Sequence, residues 1–421
     1  MKSLVAITFA ATLSLCALSM SAQQPNGTFA FRNVDVFDGS RMIRRTTVIV
    51  RDGMIRAVGT DLVIPPSANI IEGKGRTLLP GFFDAHTHLG VMNIEQFLRD
   101  ALDFGVTTEL EMWGSDASLA LRNKKAIGGS LDSADLRTAG TGITVPHGHP
   151  TQMGGPDIPT LAPGDDVQAF VDARIAEGGD YIKIIYEHGY PTLTKQQLEE
   201  VVAAAHKRNK LVVIHISTQR EAREAISAGV DGLVHIFADS PPDADFADFA
   251  AQHHVFVVPT LTVIEAINGA SDKPWWQNSP NVVSNITPSM RRTLEIKMKP
   301  VSGPKLKLSD AQAAVGALCR AGVPILAGTD APAPSLAHGL SLHRELELLV
   351  LSGLTPLQAL ASATSEPACA FGFHDRGRIT EGVRADLVLV NGDPTINIKA
   401  TRDIVGVWKL GVQCARPSDS R

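Results

Sequence analysis

The sequence predicts an α/β protein, a (β/α)8 TIM barrel with a small β-sandwich formed from both chain ends. Eight short apolar runs stand at 82–85, 106–111, 136–139, 181–185, 211–216, 232–236, 255–258 and 323–327. Amphipathic helical patterns separate most of them, for example at 165–176, 195–208, 219–228 and 309–321. Strands and helices alternating in this number over roughly 250–300 residues fit a closed parallel barrel. Both flanks read instead as short strands, which suggests one sheet domain built from the two ends. A doubly wound sheet is the alternative, but no glycine-rich phosphate fingerprint follows the first strand.

Composition narrows the function classes. The 421 residues are 44% hydrophobic and 20% charged, with 36 Gly and 25 Pro, which excludes coiled-coil, collagen-like and disordered chains. A formal charge of -5 gives no electrostatic case for nucleic acid or acidic membranes as partners.

Lys2 precedes an apolar run from Leu4 to Met20, and Ser21-Ala22 stand before Gln23-Gln24. That is the layout of a secretory signal peptide over 1–22, cleaved near Ala22, and predicts a periplasmic or secreted protein. Cys16 would suit a lipid anchor, but Leu15 before it fits poorly the small residue that lipidation needs. The remaining cysteines, Cys319, Cys369 and Cys414, are odd in number and permit at most one bridge. No later segment reaches spanning length uninterrupted, so the mature form is expected to carry no membrane segment.

Residues 27–80 are expected to form the N-terminal part of the sandwich. Phe29–Phe37 alternates, Asp38-Gly39 makes a turn, and Asp52-Gly53 between two apolar runs is a hairpin signal. The barrel is expected over 81–377 and the C-terminal part of the sandwich over 378–417. The connection from about 260 to 307 is far longer than usual and reads as a lid or binding loop. Its Trp275-Trp276 pair would line an apolar pocket or anchor that lid.

The chemistry begins at Gly81-Phe-Phe-Asp-Ala-His86-Thr-His88. Strand residues two apart point to one face, so His86 and His88 project together from the carboxyl end of the first barrel strand. Paired neutral imidazoles at that spacing suit zinc or a similar divalent ion. Lys183 interrupts an apolar strand; it either snorkels outward or is buried with a depressed pKa that lets it react with carbon dioxide. His215 and His235 end consecutive strands, as structural histidines or as ligands. Asp330 ends the last apolar strand, where a helix N-cap is the alternative. His253-His254 precedes the seventh strand at the wrong end for a site, His206 lies on a solvated helix face, and His338 and His343 read as supports behind the site or as helix-packing residues.

Together these residues resemble the amidohydrolase superfamily of metal-dependent hydrolases. More narrowly, the chain is similar to the branch of imidazolonepropionase-like proteins, Xaa-Pro dipeptidases and ochratoxin-type amide hydrolases. The resemblance implies two divalent ions, with zinc first among zinc, manganese and cobalt. His86, His88 and Asp330 would hold the buried ion, and His215 and His235 the outer one. A carbamate derived from carbon dioxide on Lys183 would bridge them beside a hydroxide. Asp330 would also shuttle the proton in catalysis. His149 matches a position after the third strand that contacts substrate, though His147 is its rival; Tyr186 and His188 would reach the substrate or pack. The expected activity is hydrolysis of an amide or peptide-like C–N bond in a small-molecule or dipeptide-like substrate. Lactone, ester or organophosphate hydrolysis is the alternative. Deamination fits less well, and a non-catalytic scaffold is argued against by the full set of ligand positions.

Overall fold

The computed structural model describes residues 27–90, 93–128, 130–154, 157–269, 274–298 and 306–420. The expected signal peptide lies outside these residues. The chain opens with strands β1 (Thr28–Phe37), β2 (Met42–Arg51), β3 (Met54–Gly59), β4 (Asn69–Glu72) and β5 (Arg76–Pro80). β2 and β3 pair antiparallel through Asp52-Gly53, whose φ angles of 52° and 75° supply the left-handed turn that such a hairpin requires.

The barrel follows. One parallel arc contains β6 (Phe82–Thr87), β7 (Val106–Glu111) and β8 (Asp135–Thr138). A second contains β9 (Ile182–Ile185), β10 (Val212–His215), β11 (Gly232–Val234) and β12 (Phe256–Val258). Nearly every residue of these strands is buried, as expected when helices cover a parallel sheet. Between the arcs, Ile143 N–H donates to the Lys183 carbonyl at 2.8 Å, and Ile185 N–H donates to that of Ile143 at 3.0 Å. On the other side the eighth run, 323–327, is wedged in. Leu326 N–H donates to Val257 (2.9 Å), and Ala85 N–H donates to Ala327 (2.8 Å). This run forms an isolated bridge rather than a ladder. Pro324 has no N–H to contribute. Thr194 and Thr218 begin the helices Lys195–His206 and Gln219–Ser227 with reciprocal capping boxes.

The chain then returns through β13 (Leu387–Asn391), β14 (Ile404–Lys409) and β15 (Val412–Gln413). The sheet order is β15-β14-β13-β5-β1-β2-β3, with β4 on β1, so both chain ends share one sheet. Two intervening strands separate β1 from β14, about 14 Å in a flat sheet. Yet the rings of Phe31 and Trp408 meet at 4.9 Å. Ile55 N–H also donates to Val383 at 2.9 Å, and Ala385 N–H donates to Gly53 at 2.8 Å. The sheet therefore folds over itself as a sandwich around Phe31, Val36, Leu78, Leu387 and Trp408.

In the long connection, helices Leu261–Ile267, Pro280–Val283 and Pro288–Glu295 are formed. Trp276, Val282, Ile286 and Met290 pack on Phe104, Ala337 and Leu340, and the Arg402 guanidinium lies 4.7 Å from the Trp275 ring. The tryptophans thus anchor the segment to the barrel flank, and they also border a cavity of about 500 Å³. Cys319, Cys369 and Cys414 are unpaired. Among the described residues, no helix is long and apolar enough to cross a membrane.

Candidate metal centre

The alternation of β6 sends His86 and His88 into the same space, with their Nε2 atoms 3.2 Å apart. Both converge on Asp330 Oδ1, at 3.3 Å from His86 and 2.9 Å from His88. Asp330 has a left-handed backbone, φ 64°. Its N–H donates to the His86 carbonyl at 2.8 Å, while the N–H and hydroxyl of Thr329 donate to buried Asp84 at 3.0 and 2.7 Å. These bonds hold an otherwise unfavourable conformation that aims the carboxylate at the imidazoles. The next helix begins at Leu340 with Gly339 as its cap, so Asp330 is no helix N-cap.

The remaining residues close around this triad. The His235 ring lies 4.6 Å from that of His86 and 4.7 Å from that of His215. Its Nδ1 meets Thr260 Oγ1 at 2.6 Å, which fixes the ring. Lys183 is only 2% exposed and does not snorkel outward; its charge is felt at His86, His235 and Asp330. The His149 ring stacks 5.1 Å from His215, whereas His147 is exposed.

Burial sets the protonation states. Desolvation, helped by Lys183, pulls His86 down to about 3; desolvation also takes His235 well below its usual range. Burial and the neighbouring His215 bring His149 down to about 4. These rings are neutral at physiological pH and present lone pairs. Burial alone would raise the Asp330 carboxyl, but hydrogen bonds from His86 and His88 outweigh it and hold the group well below the carboxylate range. Lys183, stripped of water, falls to about 7.

Not every expected contact converges. The Tyr186 hydroxyl donates to Glu224 at 2.7 Å, and His188 lies between Glu221 and Glu224 at 3.7 and 3.5 Å. Both side chains face helix Gln219–Ser227 and not the centre. The residue between them does face it: the Glu187 carboxylate lies 3.5 Å from His215 and 3.8 Å from His149. Sequence reasoning missed Glu187, although the strand alternation that starts from Lys183 gives it the same parity. His338 bonds to Glu109 at 2.8 Å, and His343 bonds to Thr401 and to the Phe104 carbonyl, both as packing residues.

The donor set fits divalent metal. His86, His88 and Asp330 form one group able to hold an ion, and His149, Glu187 and His215 form another. His215 Nε2 is buried without a hydrogen-bond partner among the described residues, as a ligand-poised imidazole is. The family model described as the amidohydrolase family matches residues 77–414. An ochratoxinase of Aspergillus niger is 22% identical over 426 residues, covering 88% of this chain and 82% of that protein. A dihydroorotase of Mycobacterium tuberculosis is 25% identical over 390 residues, covering 83% of this chain and 86% of its own. The fold matches that of a Xaa-Pro dipeptidase crystallised with methionine in its active site, with a TM-score of 0.74 at 21% identity over 92% of this chain and 99% of that one. The chain belongs to the amidohydrolase family and is a hydrolase of carbon–nitrogen bonds.

Proposed function

We propose that this protein is an exported binuclear metallohydrolase cleaving an amide or peptide-like C–N bond in a small-molecule or dipeptide-like substrate. The observation that carries this reading is the convergence of His86, His88, His215, His235 and Asp330 around buried Lys183. His86, His88 and Asp330 would hold the inner ion, His215 and His235 the outer one, with zinc the first choice. Bound ions of this kind lower the pKa of water from 15.7 to about 7 and polarise a carbonyl oxygen.

The chain supplies the rest. With a pKa near 7, Lys183 presents a neutral amine that adds to carbon dioxide, releasing one proton and leaving a carbamate with two ligand oxygens. The Asp330 carboxylate, held ionised, accepts the proton of the attacking water and returns it to the departing amine. His149 stands at the opening of the centre, where substrate would enter. The relatives named as an ochratoxinase and a Xaa-Pro dipeptidase support this reading.

Elemental analysis of protein prepared with metal and bicarbonate is expected to find two divalent ions per chain. Screening against N-acyl amino acids, dipeptides, lactones and aryl esters is expected to show turnover on amide substrates that is lost in chelator. Full activity without stoichiometric metal would overturn the reading, and turnover confined to lactones or aryl esters would move the site to ester chemistry.

A further inference from the structure

We propose that Glu187, with His149 and His215, forms the outer cation site, adding a protein carboxylate to the six ligand positions shared with the family. The inference rests on the binuclear reading above. The three side chains offer ligand atoms that all lie within 4.8 Å of one another. Glu187 follows β9 on the Lys183 parity. The Ser217 hydroxyl donates to its Oε1 at 3.2 Å, which turns Oε2 toward His215 Nε2 (3.5 Å) and His149 Nδ1 (3.8 Å). That His215 nitrogen is buried with no hydrogen-bond partner among the described residues. The Gln152 side-chain amide lies 2.7 Å from the same His149 Nδ1 and fixes the second ring; a cation bound there would take the place of that hydrogen bond.

The chemistry of the site agrees with its geometry. Two imidazoles and one carboxylate make a zinc-type donor set. The three side chains are 14–20% exposed, so the site stands at the opening, where a substrate group would enter. Charge supplies a second argument. Two dications about 3.5–4 Å apart repel and each needs an anionic ligand. Asp330 serves the inner ion. With only His215 and His235, the outer ion would draw negative charge only from the carbamate and hydroxide that it shares with the inner ion. Glu187 places a fixed negative charge there, and among the described residues its ion-pair partners are the two imidazoles alone.

The test is metal affinity, read by chelator competition and elemental analysis on the full-length protein. Glu187→Gln keeps the shape and removes the charge; His149→Asn removes the imidazole. Each variant is expected to melt like the parent and to keep the inner ion. Each is expected to bind the outer ion more than about 100-fold more weakly, because a residue that only orients a ligand costs about 10–100-fold. Glu224→Gln, on the Tyr186 side, is expected to keep both ions. A loss below 100-fold in either Glu187→Gln or His149→Asn overturns the site. A parent protein that binds no ions rejects the binuclear reading itself; two ions in the parent and two in the variants reject only this inference.

Discussion

Burial strips water from the Lys183 ammonium and lowers its pKa to about 7, so its chemistry follows from its place inside the barrel. Lys183→Arg keeps the charge and most of the stem. A residue that merely filled space would tolerate the change; under the proposed binuclear reading, arginine would form no carbamate and would set a permanent cation against the two ions. Metal content and turnover are expected to collapse while the circular dichroism of the folded barrel persists. Lys183→Ala leaves space instead, and short carboxylic acids are expected to restore part of the metal binding and rate. Normal metal content and kinetics in Lys183→Arg would remove the bridging role. The twofold period of a strand made His86 and His88 legible as a pair in the sequence. The same period, continued past Lys183, marks Glu187 and turns Tyr186 and His188 to the other side. Residue type had favoured the aromatic and the imidazole; parity decided otherwise. Which of His147 and His149 faces inward depended on a loop path that no periodicity encodes.

At the scale of elements, the eighth barrel run does most to shape the centre. Gly328 sits where strands one, seven and eight crowd together. A methyl group there would lie 2.5 Å from Val258 Cγ1 and 2.8 Å from the His86 backbone nitrogen. Backbone yields less readily than a side-chain tip, so Gly328→Ala must displace the strand carrying His86 and His88 or the turn carrying Asp330. The expected cost is about 1–3 kcal/mol in urea unfolding, together with weakened binding of the inner ion. A variant with parental stability and affinity would show that the barrel relaxes at no cost. Seven of the eight strands were legible because parallel strands buried on both faces read as plain apolar runs. The run at 323–327 was legible as apolar but not as a bridge without a ladder, since Pro324 limits its pairing. The helices of the long connection were not legible. Their anchors are tertiary: Thr287 donates to Asp100 at 3.0 Å, and Glu345 accepts from the N–H groups of Leu261 and Thr262 at 2.9 and 2.8 Å.

For the whole molecule, the question is how a sheet made from two distant chain segments stays fixed to the barrel. Asp135, at the start of β8, lies at the end of the barrel away from the metal centre. Its carboxylate meets Lys409 of β14 at 2.6 Å, Arg376 at 2.5 Å and Arg384 at 2.9 Å. Lys409 is fully buried and also donates to the Ser133 carbonyl. Burial alone would raise the Asp135 carboxyl, but Lys409, Arg384 and Arg376 outweigh it and hold the group far below its usual range. A carboxyl depressed in the folded state contributes stability above its unfolded pKa near 4, and loses that contribution as pH falls further. Asp135→Asn leaves three cations facing one another around a neutral amide, and is expected to cost about 3–5 kcal/mol at pH 7. The deficit is expected to shrink by about 1 kcal/mol at pH 3, because there the unfolded parent takes up a proton that the folded parent does not, whereas the amide of the variant takes up none in either state. Urea unfolding at the two pH values measures both quantities, and metal content at pH 7 below the melting transition is expected to stay parental. A deficit that is equal at pH 7 and pH 3 would mean that Asp135 acts by packing and not by charge. A fall in metal content without a fall in stability would mean that the clamp reaches the centre along β8 rather than only joining sheet to barrel.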